Sequence, residues 1–294
     1  MIIVSKEEES HFIAGEAVPV GSGAVSVQRI LAGNASMMTG PGTNSYLLGN
    51  QELALVDPGP NDPAHVDALL RHIGSRELKW IFVTHTHGDH SPAAAQISAQ
   101  TGARLIGLQA PEGSGQDPSF KPSGMLEDGE SIACGSFNVS AHFTPGHVSN
   151  HVCFLLEEEQ MLFTGDHILE GTTPVILPPY GHMGQYLASL EKVRDLNVRS
   201  LAPGHGSIMD SPQTVIDTLV RHRLRRESKI KNALKAFGSP ERAVTLDALT
   251  KLVYDDVPQR LHVWASKTLL AHLIKLQDEG WACLAHENWY CLDE

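Results

Sequence analysis

The sequence predicts an α/β fold followed by a smaller, mostly helical unit. Three observations predict it. Short apolar runs alternate with stretches of helical spacing through the first two thirds of the chain. Those runs end in turns rich in Gly, Pro and Asp. After about residue 212 the pattern changes to long charged helices.

Taken in order, Tyr46–Leu48 runs into Gly49-Asn50, and Leu53–Val56 into Asp57-Pro58-Gly59-Pro60, so both read as buried strands that stop at turns. Apolar residues at 66, 69, 70 and 73 share one face of a helix over 63–73. Trp80–Val83 is a further strand. A helix over 91–101 follows, with Ser91 as its cap, Pro92 in first position and Gly102 beyond its end. Leu105–Leu108 is the next strand, and residues 111–124, rich in Gly, Pro and Ser, read as a surface loop. Asn138–Phe143 and Val152–Leu156 read as paired strands, Met161–Thr164 as a strand ending in a turn, and 184–196 as a helix. Beyond these, 214–237 is one long basic helix closed by Gly238-Ser239-Pro240. A short helix over 246–254 and a third over 265–279 follow, with Gly280 past the end. Residues 281–292 read as two short strands around His286-Glu287-Asn288. Helix, helix, helix, hairpin is the order of a winged-helix module, and the chain is expected to divide into 1–214 and 215–294.

The 294 residues are 41% hydrophobic and 19% charged, which supplies sizeable cores and excludes intrinsic disorder for most of the chain. No run approaches about 18 apolar residues, so no membrane partner is expected. A formal charge of −12 argues against nucleic-acid or anionic-membrane binding over the whole surface. The charge is uneven, −13 in 1–214 and +1 in 215–294. Met1-Ile2-Ile3-Val4-Ser5-Lys6, followed by Glu7, Glu8 and Glu9, has no basic and apolar leader pattern. Four Cys at 134, 153, 283 and 291 form no CxxC pair and read as reduced thiols, so a cytoplasmic location is expected. The excess that calls for chemistry is 16 His.

Much of that chemistry is concentrated in Thr84-His85-Thr86-His87-Gly88-Asp89-His90, directly after the strand at 80–83. Open α/β sheets place their sites at such strand ends. Imidazole and carboxylate both suit zinc, and burying such groups unpaired is costly. Three further segments each offer one more ligand after a strand, with a Gly that lets the backbone turn: Thr144-Pro145-Gly146-His147, Thr164-Gly165-Asp166 and Pro203-Gly204-His205-Gly206.

HxHxDH followed by His, Asp and His in this order resembles the dinuclear signature of the metallo-β-lactamase superfamily, over about residues 25–210. The resemblance implies an αββα sandwich with the metals at one edge between two sheets. It implies that His85, His87 and His147 bind the first metal, that Asp89, His90 and His205 bind the second, and that Asp166 bridges them. Two Zn2+ are expected, although the same ligands take iron or manganese. A metal-bridging hydroxide would attack the substrate, with Asp89 orienting it. The presence of Asp166 and the lack of a leader set antibiotic hydrolysis aside. His87, where the flavodiiron branch has Glu, sets that branch aside.

Gly42-Thr43-Asn44-Ser45-Tyr46-Leu47, Pro178-Pro179-Tyr180-Gly181-His182-Met183 and the tail, with Leu261-His262, Ala265, Leu270 to Leu276 and Glu279-Gly280, resemble the β-lactamase-like protein 2 group. Its members include hydrolases, thioesterases and, in animals, a single-strand endoribonuclease. The expected function is hydrolysis of an ester, thioester or lactone in a small acyl substrate. The alternatives are a phosphodiesterase or endoribonuclease acting on single-stranded RNA with the same metals, and a nucleic-acid-binding regulator with a sensory metal site. Tyr180 and His182 are candidates for protonating the leaving group. His151 reads as a strand-start histidine or a group beside the site, Asn44 as a residue that approaches the site, and His167 as pointing away from the metals. Asp57 resembles a structural Asp that supports the ligand loop. Arg221, Arg223, Arg225, Arg226, Lys229, Lys231 and Lys235 either track phosphates or pair with acidic residues of the N-terminal domain, and the acidity of the chain favours the second. His11, His65, His72, His142, His222, His262, His272 and His286 read as surface or core histidines.

Overall fold

The computed structural model describes residues 12–21, 23–239 and 242–292. The N-terminal leader reading, His11 and Pro240 lie outside these residues. Six strands form the first sheet: β1 (Ala17–Pro19), β2 (Val27–Leu31), β3 (Asn44–Leu48), β4 (Glu52–Val56), β5 (Glu77–Phe82) and β6 (Arg104–Ile106). They lie side by side in chain order, antiparallel from β1 to β4 and parallel from β4 to β6. The parallel part needs crossovers, which α1 (Pro63–Ile73) and α2 (Ala93–Thr101) supply. The second sheet has the order β11-β10-β9-β8-β7, from β7 (Ser131–Ala133), β8 (Asn138–Phe143), β9 (Val152–Leu156), β10 (Met161–Gly165) and β11 (Ser200–Pro203).

Strand periodicity explains the layers. Tyr46, Leu48, Val56 and Phe82 of the first sheet share a core with Val139, Phe154 and Phe163 of the second. Leu47, Leu55 and Ile81, pointing the other way, pack with Val66, Leu69 and Ile73 of α1 and Ile97 of α2. With both faces covered, the central strands read as unbroken apolar runs. The predicted sheet-on-sheet sandwich is present. β1, β2 and β7 have no counterpart in the sequence reading. Their runs are short or interrupted by polar residues, and pairing with neighbours defines them.

The start of α2 differs from expectation. Ser91 is not its side-chain cap: α2 begins at Ala93, and the residue before it is Pro92 in helical conformation. The Ser91 hydroxyl donates to Asp117 Oδ2 at 2.6 Å, a charge-assisted bond. At α1 the side-chain cap is Asp62, which accepts from Ala64 N, with Pro63 at the first position.

By contacts the chain forms two compact units. The described residues of the first fall within Met1–Thr144, Asn150–Pro174 and Arg194–Pro212, and those of the second within Pro145–Ser149, Val175–Val193 and Gln213–Glu294. Two short segments of the earlier chain thus group with the C-terminal residues. The second unit contains most of α3 (Met183–Asp195) and α4 (Pro212–Phe237), together with β12 (Val244–Thr245), α5 (Leu246–Val253), α6 (His262–Asp278), β13 (Ala282–Ala285) and β14 (Asn288–Cys291). Ile230, Leu234, Leu249, Leu269, Leu273 and Trp289 form its core. The β13–β14 hairpin turns at His286 and Glu287, both at positive φ, which matches the right-handed twist of its strands.

Three of the basic residues of α4 pair with carboxylates of this unit. Arg226 forms a two-bonded pair with Asp256 at 2.8 and 3.2 Å and stacks 4.2 Å over Tyr254. Lys229 pairs with Asp255 at 2.7 Å, and Lys231 lies 3.7 Å from Glu227. Arg223 is buried over the Tyr186 ring.

Glu227 is the buried centre of this unit's polar network. Lys275 Nζ donates to its Oε1 at 3.0 Å and lies 2.9 Å from Oε2 as an ion pair, and His272 Nδ1 lies 3.5 Å from Oε2. Burial pushes the Glu227 carboxyl up, but His272 and Lys275 overcome this and hold it at about 2. Its folded pKa lies below the unfolded value of about 4.3, so its contribution is complete above that value and is lost as pH falls towards 2. Urea unfolding of the second unit should therefore weaken steadily from about pH 5 to pH 2. Glu227→Gln should be less stable at pH 7 and show a flatter acid slope. An unchanged slope would disprove this account.

Candidate metal centre

His85, His87, Asp89 and His90 lie between β5 and α2, where the chain leaves the C-terminal end of a parallel strand. Asp166 follows β10 and His205 follows β11, so the two strands of a parallel pair end at neighbouring points of the second sheet. Close approach requires a glycine here: a Cβ on Gly204 would stand 2.6 Å from the His90 ring and 3.0 Å from Asp166 Oδ1.

The ring orientations are fixed by hydrogen bonds on the nitrogens that face away from the centre. Asp57 is buried at the end of β4 with φ of 47°. Its Oδ1 accepts the Thr84 N–H at 2.7 Å, and its Oδ2 accepts the Thr84 hydroxyl at 2.7 Å and the His90 Nδ1–H at 2.9 Å. With its own proton committed to Asp57, Thr84 Oγ1 accepts from His85 Nδ1 at 3.0 Å. One carboxylate thus sets the tautomers of His85 and His90. The Gly42 carbonyl does the same for His205, at 3.0 Å from Nδ1. In each ring Nε2 is left as the nitrogen with the lone pair.

His85, His87 and Asp166 each offer a ligand atom, and these atoms lie within 4.8 Å of one another. Asp89, His90 and His205 do the same. His90 Nε2 is 3.6 Å from Asp89 Oδ2 and 3.4 Å from Asp166 Oδ1; His205 Nε2 is 3.3 Å from each of those oxygens. The imidazoles at 85, 90 and 205 are buried, whereas the Asp89 side chain is 27% exposed. Burial, His90 and His87 hold the His85 imidazole well below its usual range. At His90 burial acts in the same direction, but Asp89, Asp166 and Asp57 outweigh it and hold the ring well above. His205 is raised against burial by Asp166 and Asp89. Burial pushes Asp89 up, yet His90 and His205 keep it below the usual carboxylate range. Such a cluster attracts cations. Imidazole and carboxylate donors, oriented by second hydrogen bonds, are a donor set that suits zinc.

His147 belongs to the segment 145–149, where its Nδ1 donates to the Val175 carbonyl at 2.7 Å. Tyr180 is half-buried in the loop before α3. His182 immediately precedes α3; its Nδ1 accepts the Gln185 N–H at 3.3 Å and its Nε2 meets Asp278 Oδ2 at 2.9 Å.

Long-range roles complete the picture. Fully buried His151 donates from Nδ1 to Thr144 Oγ1 at 2.9 Å and accepts the Asp166 N–H at Nε2, 3.2 Å. It also stacks on His85 with centroids 5.1 Å apart, so it holds the backbone of one ligand candidate and the ring of another. Asn44 serves as a clamp: its Nδ2 donates to the Pro203 and Gly206 carbonyls at 3.0 and 2.9 Å, spanning the His205 turn. Thr86 and Asn150 join the ligand loop to the 109–117 loop through Gln116, Gln109 and Asp117. The motifs TPGHxxxH and GTNSYL marked His151 and Asn44 as positions of interest, but only the fold assigns their partners.

Residues 38–205 match the sequence model of the Metallo-beta-lactamase superfamily, and residues 245–288 that of the Beta-lactamase associated winged helix domain. The chain is similar to the Beta-lactamase-like protein 2 homolog of Caenorhabditis elegans, at 32% identity over 89% of this chain and 88% of the relative. It is also similar to the Atrochrysone carboxyl ACP thioesterase dmxR1 of Cryptosporiopsis sp. (strain 8999), at 32% identity over 74% of this chain and 66% of the relative. Among solved structures it resembles a metallo-beta-lactamase family protein from Thermus thermophilus, with a TM-score of 0.68, 25% identity, and coverage of 85% of this chain and 94% of that one.

If Asp57 organises the centre, Asp57→Ala should weaken zinc binding about 10- to 100-fold. It should also cost roughly 1–3 kcal/mol of stability for each donor left buried without a partner. Competition with a chromophoric chelator and urea unfolding measure the two effects, and parent-like zinc affinity would refute the role.

Proposed function

Because the chain belongs to the metallo-beta-lactamase superfamily, we propose that it is a dinuclear zinc hydrolase of an ester, thioester or lactone. Hydrolase chemistry on this fold follows from membership; the metal count, the metal's identity and the acyl substrate are the proposed part. The observation that carries the proposal is the position of Asp166. Its Oδ1 stands 3.4 Å from His90 Nε2 and 3.3 Å from His205 Nε2, while the same side chain groups with His85 and His87. One carboxylate borders both donor sets, as a bridge between two cations requires. Following the order of the sequence motifs, we assign His85, His87, His147 and Asp166 to one ion, and Asp89, His90, His205 and Asp166 to the other.

When bound, the pair of zinc ions would supply Lewis acidity and bring the pKa of water close to neutrality. The chain's own residues do the rest. Asp89, kept ionised by His90 and His205 and more exposed than the rings, holds an anionic oxygen at the open side, where it orients a water molecule and holds its proton. The Tyr180 hydroxyl is assigned to the leaving group. Thr84, Asp57 and His151 keep the imidazoles from rotating, so little reorganisation accompanies the reaction.

An acyl substrate is favoured over RNA because Arg226, Lys229 and Lys231, which invite a phosphate backbone in the sequence, already pair with Asp256, Asp255 and Glu227. The same pairing disfavours a nucleic-acid-binding regulator. The thioesterase relative supports carbonyl chemistry. Four free cysteines support a reducing compartment such as the cytoplasm. No helix among the described residues is long and apolar enough to cross a membrane.

Protein purified without chelators or added metal should contain about two zinc per chain by plasma mass spectrometry, the stoichiometry of a two-metal centre. Asp166→Ala should lose at least one of them and nearly all thioester or ester hydrolysis. Full metal content with parent activity in this variant would refute the assignment of the bridge. On a substrate panel, acyl esters and thioesters should turn over. Efficient cleavage of single-stranded RNA that falls steeply with salt would replace this reading with the phosphodiesterase one.

A further inference from the structure

We infer that the C-terminal module positions the ligand imidazole of His147, through contacts that run from α6 by way of His182 and Gly146 to the ligand. The inference rests on the dinuclear reading above and adds a role for the module and for His182. Every contact in this chain lies within the second unit.

Three of the hydrogen bonds of His182 point in different directions. Its Nε2 donates to Asp278 Oδ2 on α6 at 2.9 Å, and its Nδ1 accepts the Gln185 N–H at 3.3 Å, which caps α3. Its main-chain N–H donates to the Gly146 carbonyl at 2.8 Å, and Gly146 is the residue before His147. The side chain therefore links α6 to α3 while the backbone holds the ligand segment.

The segment itself is pressed onto α3. A Cβ on Gly146 would fall 2.3–2.6 Å from Tyr186 atoms, so only glycine permits this approach. Ser189 Oγ donates to the Pro145 carbonyl at 2.8 Å, one helical turn further along α3. α3 is in turn held by the module. The Arg223 guanidinium of α4 lies 5.2 Å over the Tyr186 ring, and a Cβ at Gly184 would meet the Lys275 stem of α6 at 3.7 Å. Pro145, Gly146 and His147 are thus attached to a helix whose first two turns are fixed by α4 and α6. His182 acts on the centre through Gly146, so it is a positioning residue.

The test is zinc binding by the full chain. Metal is removed by dialysis against a chelator, and zinc is titrated back against a chromophoric competitor. The parent should bind two equivalents. Asp278→Ala and His182→Asn should each weaken one equivalent about 10-fold and leave the other unchanged. Asn at 182 still caps the helix while giving up the reach to Asp278, so it separates the tie from the cap. Asp278→Asn keeps an oxygen acceptor and should bind zinc like the parent. With Co2+ in place of zinc, the visible spectrum of one equivalent should shift in Asp278→Ala and return in Asp278→Asn. Urea midpoints should stay close to the parent's. If Asp278→Ala fails to fold, His182→Asn decides the matter. Two parent-like equivalents in the variants overturn the inference and leave the dinuclear reading standing; so does an equal loss at both equivalents accompanied by a fallen urea midpoint. A parent that binds fewer than two equivalents overturns the dinuclear reading, and the inference with it.

Discussion

The Asp57 carboxylate is the interaction on which the rest of the centre depends. It sits at the end of a central strand in a left-handed backbone conformation, and its own N–H is held by the Phe82 carbonyl of the adjacent parallel strand. From there it reaches Thr84 twice and His90 once, and through the Thr84 hydroxyl it reaches His85. Behind it, the Ser45 hydroxyl donates to its main-chain carbonyl at 2.5 Å and accepts from His65, whose ring burial lowers to about 4 and so keeps neutral. Strand pairing between β4 and β5 therefore fixes the loop that bears four of the ligand candidates. A buried anion is costly unless its hydrogen bonds are complete, and here the donors are supplied by the groups that need orienting.

The candidate ligands were legible in the sequence because each follows a short apolar strand and is set off by Gly or a polar turn. HxHxDH after 80–83 and single ligands after 139–143, 161–163 and 200–202 are local patterns, and strand ends in one sheet are brought together by pairing alone. The same locality made α1, α4 and the β13–β14 hairpin readable. What failed was long-range. Ser91 resembles a helix cap, but α2 begins at Ala93 without a side-chain cap, and the Ser91 hydroxyl donates to Asp117, 26 positions later. The basic residues of α4 read as partners of the acidic N-terminal domain, whereas Arg226 and Lys229 pair with Asp256 and Asp255, about thirty positions later in their own unit. His151 and Asn44 have no local signature for their functions, since the backbone groups they hold belong to other strands.

The two units share the labour unevenly. The sandwich brings together the histidines of the first motif, both carboxylates and His205 within one pair of sheets, where strand register sets their spacing. The segment bearing His147 leaves that scaffold and is held by α3 instead. The order of the chain conceals this, because residues 145–149 lie between two strands of the sandwich.

The parallel pairing of β10 with β11 also bears on how the protein is made. Between these neighbouring strands the chain leaves the sheet, forms α3 and returns, so β11 can dock only after its crossover has been synthesised. Contacts that close such long loops form slowly. On the ribosome, β3 to β5 and the Asp57–Thr84 bonds can form early, with the histidines of the first motif already oriented, but His205 arrives only when the last strand of the second sheet emerges. Loading of the proposed second ion should therefore wait for the completion of that sheet during synthesis, with the early imidazoles already oriented when His205 arrives.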